Sequence, residues 1–219
     1  MKNFNKYFDH TLLAPEATKE DILRLCGEAR RYEFHSVCVN SSYVSFAKKQ
    51  LAGSDIYVTA VVGFPLGAMD TQAKAWEAEI ACGNGADEID MVMNIGALRD
   101  EDYLLVKNDI SAVADVVFAY DAVLKVILET CLLSDKEVTM ACRLAVESGA
   151  DFVKTSTGFS KSGATAHTVA LMKNTVKGDA FVKASGGIRD RATAEKMIKA
   201  GADRLGTSAT VTIVNTPVT

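Results

Sequence analysis

Three side chains in this chain could do carbonyl chemistry together: Lys154, Lys183 and Asp90. Lys154 lies in Asp151-Phe-Val-Lys-Thr-Ser-Thr-Gly158, an apolar run with one lysine, followed by three hydroxyl residues and a glycine. Burial penalises the charged form of lysine, so such a residue is either paired or kept for chemistry. The next unit nearly repeats the pattern as Phe181-Val-Lys-Ala-Ser-Gly-Gly187. A neutral lysine amine attacks carbonyls and gives a Schiff base, whereas an unperturbed lysine, with a pKa of about 10.4, is almost wholly protonated near neutrality. Lowering that value by about three units disfavours the cation by roughly 4 kcal/mol. A second cation about 4 Å away, at an effective dielectric near 20, supplies about that much, and burial pushes the same way. Lys183 is the obvious second cation. The competing reading is structural: each lysine is salt-bridged to a barrel carboxylate such as Asp90 or Glu129.

Asp90 lies in Glu88-Ile-Asp-Met-Val-Met-Asn94, where alternation puts Glu88, Asp90 and Val92 on one face. An inward carboxylate near two lysines could hold one lysine's charge and pass protons through water; unpaired, it would be costly. Glu129 in Val126-Ile-Leu-Glu-Thr130 is a weaker candidate of the same kind. Thr157 and Gly158, Gly186-Gly187 and Gly206-Thr-Ser208 fall at or just past the ends of the last three expected strands. Backbone amides in such turns form anion nests, and phosphate sites in barrels lie after strands seven and eight. A phosphate-bearing ligand fits them; ordinary turn glycines are the alternative. Cys38 ends a strand and reads as pocket wall rather than nucleophile. Asp9-His10-Thr11 could close the pocket from the first strand. His10, His35 and His167 have no metal-ligand spacing, which argues against a catalytic metal.

The elements that must position these groups alternate. Strands are expected at 7–12, 36–40, 56–63, 88–94, 124–130, 152–157, 181–185 and 204–208. Helices are expected at 16–32, 41–51, 70–83, 102–117, 134–149, 165–176 and 190–200, with a very short one last. Ser134-Asp-Lys-Glu137 is a capping box. Eight βα units predict an α/β chain closed into a single-domain (β/α)8 (TIM) barrel over residues 1–219, with an open doubly wound sheet as the alternative. Gly-Ala-Asp recurs at 85–87, 149–151 and 201–203, each time between a helix and a strand. The residues three after each aspartate are Asp90, Lys154 and Gly206, on the fourth, sixth and eighth strands. They are expected to share an interior layer.

The 219 residues carry a net charge of −4 with acids and bases interspersed, which argues against a nucleic-acid partner. The first six residues lack a signal-peptide core, and no apolar run reaches membrane-spanning length. The five scattered cysteines, never in a Cys-x-x-Cys pair, read as reduced thiols of a cytoplasmic protein. From the residues alone, a Schiff-base aldolase leads. A sugar-phosphate isomerase or synthase with Lys154 as an electrostatic clamp, and a silent sugar-phosphate binder, stay open.

The chain resembles the deoxyribose-phosphate aldolases, a class I (Schiff-base) aldolase family. The resemblance runs through Asp9-His-Thr-Leu-Leu13, Val62-Gly-Phe-Pro-Leu-Gly67, Glu88-Ile-Asp90, Asn94-Ile-Gly96, Val126-Ile-Leu-Glu-Thr130, both lysine motifs and Gly206-Thr-Ser208. It implies reversible cleavage of 2-deoxy-D-ribose 5-phosphate to acetaldehyde and D-glyceraldehyde 3-phosphate in a (β/α)8 barrel, with no cofactor or metal. It makes Lys154 the Schiff-base lysine and Lys183 the second lysine that depresses its pKa, with Asp90 in a proton relay with Lys183 and water. Gly158, Gly186, Gly187, Gly206 and Ser208 fall where the family binds phosphate. A cytoplasmic homodimer or higher homo-oligomer is also implied. Two departures stand out. Thr210 replaces a usual glycine, which should stiffen the backbone beside the phosphate. The tail to Thr219 lacks the C-terminal tyrosine of some relatives.

Overall fold

The structure, a computed structural model, describes residues 4–217. The end of the tail, on which the tyrosine reading falls, lies outside the described residues, as do residues 1–3 of the N-terminal stretch. The chain order is β1 (Phe8–Leu12), α1 (Lys19–Tyr32), β2 (Ser36–Asn40), α2 (Val44–Gln50), β3 (Tyr57–Val62), α3 (Thr71–Gly83), β4 (Glu88–Val92) and α4 (Ile95–Arg99). It continues with α5 (Tyr103–Ala119), β5 (Val123–Ile127), α6 (Asp135–Glu147), β6 (Phe152–Lys154), α7 (Ala166–Val176), β7 (Phe181–Ser185), α8 (Arg191–Lys199), β8 (Arg204–Thr207) and α9 (Thr210–Asn215). The strands pair in sequence order, all parallel, and β8 returns to β1, so the sheet is a closed barrel rather than an open doubly wound one.

Local sequence explains most of the boundaries. Thr18 caps α1 in a capping box with Asp21, and the stripe Ile22, Leu25, Cys26 and Ala29 is buried against the barrel. Full burial of a side chain such as Ile22 stabilises by about 2 kcal/mol. Ser134 and Glu137 form the expected capping box on α6. Three strands stop two or three residues earlier than the sequence suggests. β5 ends at Ile127 rather than 130 because Glu129 takes a left-handed φ of +56° into a tight turn at Thr130–Leu132. β4 ends at Val92 because Asn94 turns to cap the one-turn helix α4, accepting from Ala97 N–H at 3.0 Å. β6 ends at Lys154; beyond it the Thr155 hydroxyl donates to Ser185 O at the end of β7, and Thr157 N–H donates to Glu129 in the loop after β5.

The Gly-Ala-Asp repeat is a device of the barrel's amino end. Gly85, Gly149 and Gly201 have φ of +100°, +93° and +111°, the left-handed turn that glycine adopts without strain. Asp87, Asp151 and Asp203 each accept, at 2.8 Å, the backbone N–H of Val58, Leu124 or Val182 on the strand before. Each repeat thus ends a helix and locks the next strand to its neighbour. The structure adds a fourth copy that lacks the motif. Glu33 takes the left-handed turn at φ +54°, Phe34 N–H reaches Ala29 O, and His35 N–H reaches Phe8 O as the aspartate amides reach their strands. The residue three after His35 is Cys38. The four even strands therefore place Cys38, Asp90, Lys154 and Gly206 at equivalent positions.

Candidate active site

Period-2 alternation turns Ile89, Met91 and Met93 into the apolar layer under the helices and Glu88 and Asp90 into the barrel. The same rule brings Asp9 from β1, Lys125 from β5, Lys154 from β6, Lys183 from β7 and Arg204 from β8 into one buried cluster. Asp90 is its centre. Its Oδ1 accepts from Lys125 at 2.8 Å, and its Oδ2 accepts from both Lys154 and Lys183 at 2.7 Å each. The Lys154 and Lys183 amines are therefore no further apart than twice that distance. Lys183 also pairs with Asp9 Oδ2, Arg204 bridges Asp9 Oδ1 at 2.9 Å and Glu88 Oε1 at 3.3 Å, and Lys125 reaches Glu88 Oε2 at 2.7 Å. Each lysine is salt-bridged to Asp90, and the two share one of its oxygens.

The two amines nevertheless differ in charge preference. Lys154 is pushed below the ordinary lysine value, chiefly by burial and further by the Lys183 ammonium, against the pull of Asp90. Burial, not Lys183, is the larger cause. Burial also opposes the charge on Lys183, but Asp9 and Asp90 overcome it and hold its pKa above the ordinary value. Burial would likewise raise Asp90, yet Lys125, Lys154 and Lys183 hold its carboxyl well below the usual range. Lys154 is thus the amine most easily made neutral, beside an ammonium that stays charged.

Above Lys154, at the carboxyl ends of the strands, opens a pocket of about 530 Å³. Its lining includes Lys154, Thr157, Gly158, Gly186, Gly187, Gly206 and Ser208, so these expected site residues are brought together. Gly186 and Gly187 have φ of +82° and +77°. A second constraint acts on Gly186: its backbone packs against Gly163, where an added Cβ would lie 2.0 Å from Gly186 O. That contact, with Ala164 N–H on Gly186 O at 3.1 Å, rivets the loop after β6 to the loop after β7. Gly206 keeps room for the Lys183 stem, since a Cβ there would meet Lys183 Cε at 3.0 Å.

Other expected residues lie elsewhere. Cys38 is not on the pocket lining; it is buried in a small cluster with Val61, Phe64 and the lining residue Leu13, and burial raises its thiol pKa to about 11. Glu129 faces none of the lysines; at φ +56° it accepts the Thr157 hydroxyl and N–H. Thr210 is not on the pocket lining. It opens α9, and its hydroxyl donates to Thr207 O at 3.0 Å, so it braces the turn rather than stiffening a ligand contact. Lys125 and Arg204 went unread in sequence, as did the bonds of Asp9 and Glu88 and the pocket wall at Arg189. Lys125 alone carried a usable signal, a lone lysine in Val123-Leu-Lys-Val-Ile127.

Among the described residues no group of three or more His, Cys, Asp and Glu side chains is placed to hold a metal ion, and no helix is long and apolar enough to cross a membrane. A (β/α)8 barrel with a depressed lysine under a glycine-walled pocket defines a barrel enzyme with an amine at its centre. The chain belongs to the DeoC/LacD family aldolases, whose pattern matches residues 4–211, and is a lyase. A deoxyribose-phosphate aldolase of Brevibacillus brevis is 57% identical over 212 residues, 97% of this chain and 95% of that protein. One from Finegoldia magna is 57% identical over 210 residues, covering 96% and 98%. A solved deoxyribose-phosphate aldolase of Aeropyrum pernix, described as a unique tetramer, superposes with a TM-score of 0.90 at 34% identity, covering 96% of this chain and 88% of that one.

Proposed function

We propose that the chain reversibly cleaves 2-deoxy-D-ribose 5-phosphate to acetaldehyde and D-glyceraldehyde 3-phosphate through a Schiff base on Lys154. The observation that carries this reading is the unequal pair: a depressed amine facing the pocket and a charged one behind it, on one carboxylate oxygen. The neutral Lys154 amine adds to the C1 aldehyde of the open-chain sugar, and loss of water gives the protonated imine. The C3 hydroxyl then loses its proton, the C2–C3 bond breaks, and its electrons pass to the imine as an enamine. D-Glyceraldehyde 3-phosphate leaves, C2 is protonated, and hydrolysis of the imine frees acetaldehyde and the amine.

Lys183 shares an Asp90 oxygen with Lys154, a contact that supports the relay of Lys183, Asp90 and water. Asp90, held so far below the usual carboxylate range, is a poor base and serves chiefly to place the two amines. The phosphate sits against Gly158, Gly186, Gly187 and Ser208, with the Arg189 guanidinium at the same wall. This assembly works as a homodimer or higher homo-oligomer in the cytoplasm, a reading supported by the bacterial relatives and the tetrameric neighbour. Reduction with borohydride in the presence of acetaldehyde should add a mass tag to the Lys154 peptide. No tag, or a tag on Lys183 alone, would sink the assignment and favour a non-covalent isomerase.

A further inference from the structure

Within the connected ion-pair cluster around Asp90, which Glu129 does not join, the charges balance only when Lys154 is neutral. Asp9, Glu88 and Asp90 supply three carboxylates. Lys125, Lys183 and Arg204 are three cations, and each of them touches two different carboxylates. Lys154 is the fourth cation and has one contact, on the Asp90 oxygen that Lys183 already holds. The other Asp90 oxygen is occupied by Lys125 at 2.8 Å, and Lys125 is anchored from below by Glu88 at 2.7 Å.

We infer that Lys125 is a positioning residue for the reaction: by filling Asp90 Oδ1, with Glu88 as its anchor, it denies Lys154 a carboxylate oxygen of its own and so keeps that amine neutral. The inference rests on the reading of Lys154 as the nucleophile, but adds a residue that touches neither pocket nor substrate. Lys125 is fully buried and absent from the pocket lining.

The surroundings leave few other groups to set the Lys154 charge. β4 presents Asp90 and Glu88, β5 Lys125, β7 Lys183, β8 Arg204 and β1 Asp9. β2 offers only the Cys38 thiol, whose pKa burial raises to about 11, and β3 offers Thr59 and Val61. His35 lies below, 3.2 Å from Glu88. Above, Glu129 is turned to Thr157, while Glu16 and Arg189 stand on the pocket wall. Without the Lys125 charge the interior would hold three carboxylates and three cations including Lys154, and a whole Asp90 oxygen would be free to take its proton-bearing amine. Without the Glu88 charge the deficit of carboxylate would deepen. The two losses must therefore act with opposite sign, which simple loosening of the barrel would not produce.

The test is the pH dependence of acetaldehyde trapping on Lys154 in the full chain, read by peptide mass after cyanoborohydride reduction. Lys125→Met should move the midpoint up by about one pH unit, a roughly tenfold loss of adduct rate on the acid side, with the high-pH rate retained. Glu88→Gln should move it down. Should Lys125→Met not fold, the sign of the Glu88→Gln shift decides alone. Midpoints that stay at the wild-type value, or move in the same direction, overturn the inference while wild-type adduct on Lys154 leaves the Schiff-base reading standing. Absence of that wild-type adduct overturns both.

Discussion

Lys154 and Lys183 face each other as register partners on β6 and β7, come from near-identical motifs, are both buried, and touch the same oxygen of Asp90. Their charge preferences are nonetheless opposite. Burial penalises both ammonium groups, so burial cannot be what separates them. The difference is in the acceptors. Lys183 leans toward β1 and gains Asp9 Oδ2 on a second carboxylate, whereas Lys154 has a shared oxygen below it and the pocket above. A third lysine makes the point from outside the barrel. Lys74 is fully buried between α3 and α5, 2.6 Å from Asp109, with its amine also donating to Val92 O at 3.0 Å. Burial lowers its pKa too, opposed by Asp109. It has no opening to the pocket, so depression without access makes a staple, not a nucleophile.

The comparison can be broken in three places. The largest effect is expected at the staple. Lys74→Met leaves Asp109 buried without its cation and should cost about 3–5 kcal/mol in denaturant unfolding, with the pH–rate profile of the folded enzyme unmoved. A shifted profile with little loss of stability would erase the distinction between the two sites. Next comes Lys183→Leu, which removes the neighbouring cation and gives Lys154 sole use of Asp90 Oδ2. The Lys154 pKa should then rise, and activity near neutrality should fall by roughly a hundredfold and recover as the pH is raised. A pH–rate profile like that of the wild type would count against the coupling. The smallest effect is expected at Gly163→Ala, which forces the β6 and β7 loops apart at the pocket wall. The KM for the phosphorylated sugar should rise roughly tenfold, while trapping of acetaldehyde, which carries no phosphate, stays as before. An equal loss in both assays would mean that the rivet supports the amine rather than the phosphate end.

The candidate trio Asp90, Lys154 and Lys183 is legible in the sequence for a physical reason. Lone charges inside apolar runs are costly, and the βα repeat showed that Asp90 and Lys154 sit at matching places. Lys125 has the same signature, but no hydroxyl or glycine turn follows it, and a lysine alone suggests only a salt bridge. The pairing of Arg204 with Asp9 crosses 195 positions of sequence and is made by barrel closure, so no local pattern announces it. The helix α4 hides in a stretch too short to show a period, and the fourth turn at Glu33 is built without glycine. Gly163 is an isolated glycine in a polar loop, and only the close approach of the Gly186 backbone gives it meaning. The strands β4, β5 and β6 end sooner than the pattern suggests because Met93 and Leu128 continue the apolar runs, and Thr155 to Thr157 carry β-compatible hydroxyl residues, past the strand ends into turns.

Around the waist of the barrel, the four even strands set a thiol, a carboxylate, an amine and a bare backbone at corresponding stations. The main chain there is fourfold, and the chemistry is not. Because the backbone repeats, the spacing between stations is inherited, and each station differs only in what stands on it. The empty one is as directive as the others. The vacancy at Gly206 is the space into which the Lys183 stem leans, bringing its amine to the carboxylate of the first strand. A methyl group in that space would meet the stem and press the ammonium back toward its neighbour. An absent side chain thus leaves room for the stem that carries the Lys183 ammonium to Asp9.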